Sequence, residues 1–141
     1  MHNAQCLAGM AFSNVGLGVV HGMAHPMGSL FDIPHGVANA MLLPTIMEFN
    51  APVCLDKYVE IAKAMNAYKE GMTKEEAAKA ACNAVRELAI EVGIPQHLTE
   101  IGIKEEDIPA LAEQAINDVC TPGNPREVSL EDIIELYKKV L

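Results

Sequence analysis

Three histidines stand close together in a part of the sequence that is otherwise almost wholly apolar. His21 and His25 are four residues apart, and His35 follows a nine-residue connection. Imidazole is the commonest metal ligand in proteins and the side chain best suited to proton transfer near neutral pH. Any one ring can be a core or capping residue satisfied by backbone carbonyls. Burying several polar rings without a task is costly, so the cluster favours a metal site or proton-transfer chemistry.

The spacing indicates how the rings can meet. Side chains four residues apart lie on one face of a helix, one turn apart, and His35 lies at the entrance of the next predicted helix. In a helical hairpin all three imidazoles can converge. Gly22 follows His21, so the sequence lacks the Glu that serves as the base in the H-E-x-x-H motif of zinc proteases, and protease chemistry is not expected. Asp32 is interpreted as a solvated carboxylate in a surface turn.

The composition excludes several classes of function. The chain has 141 residues, which suits one compact domain, and a formal net charge of −9 without any basic run. Nucleic acids and anionic membranes require clustered cations, so neither is expected as a partner. The sequence shows no signal-peptide pattern, and its four cysteines contain no C-x-x-C pair. We therefore expect a single soluble, cytoplasmic domain whose cysteines are small buried residues.

Two helices are predicted from their capping boxes. Thr73 with Glu76 precedes a stretch of apolar residues at helical spacing that ends at Gly93. Ser129 with Asp132 precedes a similar stretch at the C-terminus.

Two further segments, 55–65 and 105–117, have helical periodicity. In the second of them, Asp107 before Ile108 and a proline favours a start further inward. No segment alternates apolar and polar residues as a half-buried strand would. The sequence therefore predicts an all-α fold.

The region from residue 3 to residue 44 differs in character, because nearly every side chain is apolar or small. A helix here would be buried on every side, so we expect the central element of the fold in this region. Its glycines lower helix propensity, and close approach of a neighbouring backbone or ligand is the usual reason for that cost. They are Gly9, Gly16, Gly18 and Gly22. We expect Pro26 and Gly28 to end the first helix, and a second buried helix over 37–43 to stop at Pro44.

This region resembles the signature of the iron-containing alcohol dehydrogenases. The resemblance lies in residues 8–28 (AGMAFSNVGLGVVHGMAHPMG) and 34–44 (PHGVANAMLLP). It continues through residues 92–95 (VGIP), 105–112 (EEDIPALA) and 118–126 (DVCTPGNPR), and so covers essentially the whole chain. The last of these segments most resembles the lactaldehyde reductase, or propanediol oxidoreductase, branch of the family.

The resemblance implies a fold and an activity. The fold is a helical bundle like the C-terminal domain of these dehydroquinate synthase-like enzymes, with residues 1–141 forming one domain of a larger two-domain protein. The activity is an NAD-linked interconversion of a small alcohol or diol and its aldehyde, with Fe(II), or alternatively Zn(II), as Lewis acid. The N-terminal nucleotide-binding domain of the family, with its Gly-rich phosphate turn, is not represented in this sequence.

The resemblance also assigns residues. It implies that His21 and His35 bind the metal and that His25 is a catalytic proton relay, which reduces the three possible ligands to two. Phe12 and Cys120 occupy positions that border the substrate pocket, and no position is assigned to cofactor binding. The other two metal ligands of the family come from an Asp-x-x-x-His motif that this sequence lacks.

Several expectations follow for the chain on its own. With two of four ligands and no nucleotide-binding domain, it should bind metal weakly and be inactive alone. Its uncovered apolar surface should cause self-association, giving a homo-oligomer. The alternative to an enzyme part is a non-catalytic, stand-alone helical binding or scaffold domain derived from the same family.

Overall fold

The computed structural model describes residues 1–141 and contains seven α-helices and no β-strand, which confirms the all-α prediction. The helices are α1 (His2–Val15), α2 (Val19–Phe31), α3 (His35–Asn50), α4 (Leu55–Ala64), α5 (Lys74–Glu91), α6 (Ile108–Ile116) and α7 (Leu130–Val140). Short 3-10 turns lie at Ala51–Val53, Leu98–Ile101, Glu105–Asp107 and Thr121–Gly123.

The capping boxes predicted from the sequence are both present. At the start of α5, the Glu76 N–H donates to Thr73 Oγ1 at 3.2 Å, and the Thr73 N–H donates to the Glu76 carboxylate at 2.9 Å. Ser129 and Asp132 make the same exchange before α7. Helix α4 also forms where its periodicity predicts it, and α6 begins at Ile108, inward of residue 105 as expected.

The N-terminal region differs from its prediction. The chain forms two helices bent by 108° instead of one, because Gly16 adopts a φ of 80° in the left-handed region. Helix α1 contains no buried residue, so the expectation of burial on every side is wrong for it. Helix α2 has the predicted central place. No single helix is long and apolar enough to cross a membrane, and α1 and α2 meet those criteria only as this bent pair.

Proline does not end either of the next two helices. Helix α2 continues through Pro26 to Phe31, and α3 continues through Pro44 to Asn50, so both predicted ends are wrong. A proline inside a helix costs about 3 kcal/mol because it removes one backbone hydrogen bond. Both rings are buried in the structure, where tertiary packing overrides that local preference. The connection between the two helices is consequently only three residues long, 32–34.

Helix α2 forms the centre of the larger of two hydrophobic clusters and packs against α3 and α6. The larger side chains fully buried here include Val19, Met23, Met27, Leu42, Leu111, Ile133 and Tyr137. The Tyr137 hydroxyl donates to the Met23 carbonyl at 2.6 Å inside this cluster, which ties α7 to the middle of α2. A smaller cluster joins α3, α4 and α5. The N-terminal half of α2 is therefore held on several sides.

Candidate metal and catalytic site

The structure brings the three histidines together, as their spacing predicts. His21 and His25 lie one turn apart on α2, and His35 is the first residue of α3. The ring centroids are 5.3 Å apart for His21 and His35, 5.4 Å for His25 and His35, and 6.1 Å for His21 and His25. None of the rings is fully buried, and His35 is exposed. The convergence, rather than the cost of burial, is therefore the stronger argument for a functional role.

The predicted ligand pair, His21 and His35, offers two imidazoles that lie close together. A metal–imidazole bond is about 2.0–2.1 Å long, so rings with centroids 5.3 Å apart can share one ion. Burial, with the His35 and His25 rings beside it, lowers the pKa of His21 below its ordinary value. The lowered pKa favours the neutral imidazole, which is the form that binds a metal. Two neutral imidazoles suit iron and zinc alike.

Asn39 makes contact with the second member of this pair. Its Nδ2 lies 3.0 Å from His35 Nε2 and donates to the His35 carbonyl at 2.9 Å. Its Oδ1 is buried without a hydrogen-bond partner, the one such side-chain atom in the chain. An unpaired buried acceptor costs about 1–3 kcal/mol. The Asn39 amide is thus only half satisfied beside the candidate metal site.

His25 is held by a residue that the sequence analysis missed. His25 Nδ1 lies 2.7 Å from Asp118 Oδ2, although the two residues are 93 positions apart in the sequence. Asp118 follows α6, and its side chain is only 16% exposed. The only sequence signal for Asp118 was its place at the head of the segment 118–126 that carries part of the family resemblance. A helix-by-helix interpretation could not pair it with His25.

Asp118 also forms a hydrogen bond with Cys120, the residue predicted to border the substrate pocket. The Cys120 N–H donates to Asp118 Oδ1 at 2.8 Å. Burial raises the pKa of Asp118, but the hydrogen bonds from Cys120 and His25 outweigh it and hold that pKa below its usual range. Burial, followed by the hydrogen bond to Asp118 and its charge, raises the pKa of the Cys120 thiol. The raised pKa favours the neutral thiol over the thiolate, which is the nucleophilic form.

His25, Asp118 and Cys120 also form a set of three potential ligands whose ligand atoms lie within 4.8 Å of one another. Both oxygens of Asp118 already accept hydrogen bonds from the other two residues. Since these bonds satisfy the carboxylate without an ion, the set is better described as a hydrogen-bonded triad beside the His21 and His35 pair.

The two predicted pocket residues are not equivalent in the structure. Asp118 contacts both Cys120 and His25, so these two residues lie close together. Phe12 lies on α1 and is 42% exposed. A cavity of about 680 Å³ adjoins His21 between the start of α2, α3 and residues 123–125, and Phe12 does not line it. Of the four cysteines only Cys82 is buried, so the expectation of four small buried residues is wrong, although all four are free thiols.

Close packing at Gly22 places the segment that carries Asp118 and Cys120. A Cβ at Gly22 would overlap Thr121 Oγ1 and lie 3.3 Å from the Ala115 carbonyl oxygen. The Thr121 hydroxyl donates to that same carbonyl at 2.6 Å. The predicted close approach is thus confirmed at Gly22, and at Gly18, which faces Asn124. It is not found at Gly9 or Gly16, on and beside the exposed helix α1.

The fold is an all-α domain in which three histidines converge beside an Asp and a Cys. All of residues 1–141 match the model of the Fe-containing alcohol dehydrogenase family, C-terminal part. The chain belongs to the iron-containing alcohol dehydrogenase family.

Individual relatives agree with this assignment. The chain is 59% identical over 133 residues to lactaldehyde reductase of Escherichia coli K12, covering 94% of this chain and 35% of that protein. It is 43% identical over 139 residues to 1,3-propanediol dehydrogenase of Citrobacter freundii, covering 99% and 36%. A crystal structure of a 1,3-propanediol oxidoreductase superposes with a TM-score of 0.93 at 42% identity, covering 96% and 35%. The resemblances in fold and family inferred from the sequence are confirmed, and the chain spans about a third of each relative.

Proposed function

We propose that this chain is the metal-binding helical part of an NAD-linked alcohol dehydrogenase acting on a small alcohol or diol and its aldehyde, of the lactaldehyde and 1,2-propanediol type. The observation that carries the proposal is the convergence of three imidazoles in a chain that is 59% identical to a lactaldehyde reductase. The His21 and His35 pair would hold Fe(II), or Zn(II) in its place. Iron, when bound, supplies a Lewis acid that polarises the substrate oxygen.

The remaining residues would handle the proton and shape the pocket. Reduction of an aldehyde by NADH requires one proton at the carbonyl oxygen, and His25 lies beside both candidate ligands to exchange it. Cys120 would border the substrate with a small neutral thiol, and Phe12 with an aromatic face from α1. The residues that bind NAD and the other two ligands would belong to an N-terminal nucleotide-binding domain.

A chimera tests the proposal. This chain replaces the matching 35% of the E. coli lactaldehyde reductase, which it resembles at 59% identity. We expect the chimera, loaded with Fe(II), to oxidise NADH when lactaldehyde is added, and the chain alone to oxidise none. A folded chimera that binds NADH and stays inert would contradict the proposal and favour the non-catalytic scaffold instead.

The chain alone is expected to bind metal weakly. Four-ligand structural zinc sites bind with about 10–16 kcal/mol, so two ligands supply about half, or about 5–8 kcal/mol, equivalent to a dissociation constant between about 1 µM and about 0.2 mM. Anaerobic calorimetric titration with Fe(II) and Zn(II) measures this. His2→Ala, which removes a histidine from the exposed helix α1, is the matched control for His35→Ala. Tight one-to-one binding that His35→Ala abolishes would show that the two-ligand account is wrong.

The exposed apolar helix α1 is expected to make the chain a homo-oligomer at high concentration. Leu7 and Met10 are 67% and 62% exposed on a helix that has no buried residue. In sedimentation velocity, the average mass should rise with concentration, and Leu7→Lys combined with Met10→Lys should restore the monomer. Ile90→Lys, which replaces an exposed apolar residue on α5, should leave the association unchanged. A monomer at every concentration would refute this expectation.

A further inference from the structure

We propose that Asp118 is a positioning residue that fixes the tautomer of His25 and so keeps its Nε2 lone pair available to the substrate hydroxyl. The proposal deepens the function proposed above and rests on His25 acting as the proton relay. It concerns a residue that lies outside the candidate metal ligands and reaches the reaction only through His25.

The contact between the two side chains determines which ring nitrogen carries the hydrogen. An ionised carboxylate can only accept hydrogen bonds, so Asp118 Oδ2, at 2.7 Å, requires the hydrogen of a neutral His25 ring on Nδ1. The lone pair is then on Nε2, the nitrogen that Asp118 does not engage. In alcohol oxidation the hydroxyl O–H bond breaks, its proton goes to Nε2 and the hydride from carbon goes to NAD. Reduction reverses both transfers.

Asp118 is itself held in place, which a positioning role requires. Its Oδ1 accepts the Cys120 N–H at 2.8 Å, so the carboxylate is fixed at both oxygens. The segment that follows is buried against α2 where Thr121 meets Gly22. The same arrangement of a carboxylate, a histidine Nδ1–H and a free Nε2 orients the base in serine protease triads. There, replacing the Asp by Asn preserves the geometry but stabilises the wrong tautomer.

The first experiment uses the chain itself, without metal or NAD. ¹⁵N-labelled imidazole resonances, assigned through His25→Gln and recorded where imidazoles are neutral, report which nitrogen carries the hydrogen. We expect protonated Nδ1 and unprotonated Nε2 for His25 in the natural chain. Asp118→Asn keeps the shape but offers an amide N–H to Nδ1, so the hydrogen should move to Nε2. An unchanged His25 tautomer in Asp118→Asn would overturn the proposal.

The second experiment measures the consequence in the chimera. Asp118→Asn should lower kcat by about 100-fold, the lower range for acid–base catalysis, while KM changes little. Asp118→Glu should recover part of the rate, because it restores an acceptor. The matched control is Asp32→Asn, which removes the same charge at an exposed position whose left-handed φ of 55° suits Asn.

The outcomes separate this proposal from the one it rests on. An inert chimera with the natural Asp118 contradicts the proposed function, while the resonances of the chain still test the tautomer. An active chimera in which Asp118→Asn retains kcat within twofold overturns the positioning role. A variant that melts earlier and loses kcat without a tautomer change also overturns it, because Asp118 would then serve only to join α6 to α2.

Discussion

We expect His35→Ala to lower the kcat/KM of the chimera for lactaldehyde by about three orders of magnitude. The expectation follows from the Lewis acid, which supplies several kcal/mol of stabilisation to the developing charge. Each 1.4 kcal/mol corresponds to a factor of ten in rate, so the loss of about 4 kcal/mol gives about a thousandfold. His35 is the first residue of α3 and is exposed, so removing its side chain leaves the hydrophobic core intact. The loss is therefore chemical and not a loss of folding.

Iron content distinguishes this loss from the loss of a proton relay. His35→Ala should purify with much less than one iron per chain, whereas His25→Ala should retain its iron and lose about 100-fold in kcat. His2→Ala should change neither quantity, because it lies on α1 away from the cluster. Elemental analysis and steady-state kinetics on the same preparations give both values. The opposite pattern, with iron lost from His25→Ala and kept in His35→Ala, would show that the ligands are assigned wrongly.

The elements predicted best are those whose signals are local. Thr73 and Ser129 mark the starts of α5 and α7 because a capping box involves residues only three positions apart. Pro26 and Pro44 misled the analysis for the same reason, since the local cost of a proline says nothing about the core that the ring enters. The exposure of helix α1 could not be predicted from composition, because an apolar segment does not reveal whether another part of the fold covers it.

The candidate site likewise contains residues that local sequence patterns predict and one residue, Asp118, that they do not. His21 and His25 share a helix face, which their spacing alone predicts, and His35 follows at the next helix start. Asp118 was not predicted because its contact joins residues 93 positions apart, and no periodicity within a helix reports such a pairing. Besides the family resemblance of residues 118–126, the signals that cross this distance are Gly18 and Gly22, whose missing side chains predicted that another part of the chain comes close. The structure shows that this part is the segment after Asp118.

Gly22→Ala should destabilise the chain by about 1–3 kcal/mol, the usual cost of overpacking a filled site. Alanine is the better helix former by about 1 kcal/mol, so the sign of the effect decides between local propensity and tertiary packing. The added Cβ would overlap Thr121 Oγ1, which is buried and bonded to the Ala115 carbonyl. Gly36→Ala is the matched control, because it is also helical and nothing lies within 4 Å of its Cβ position. It should be neutral or stabilising.

A double-mutant cycle assigns the destabilisation to this contact. Thr121→Ala removes the hydroxyl that the new Cβ meets, so the destabilisation by Gly22→Ala should be smaller in the Thr121→Ala background, and the two effects should not add. Urea unfolding of the four chains measures all the terms. Because the same contact holds the segment bearing Asp118 against α2, Gly22→Ala should also disturb the His25 imidazole resonances, while Gly36→Ala leaves them in place. Equal stability of the two glycine variants would mean that the Thr121 side chain moves aside without an energetic penalty. Gly22 would then not determine the position of Asp118.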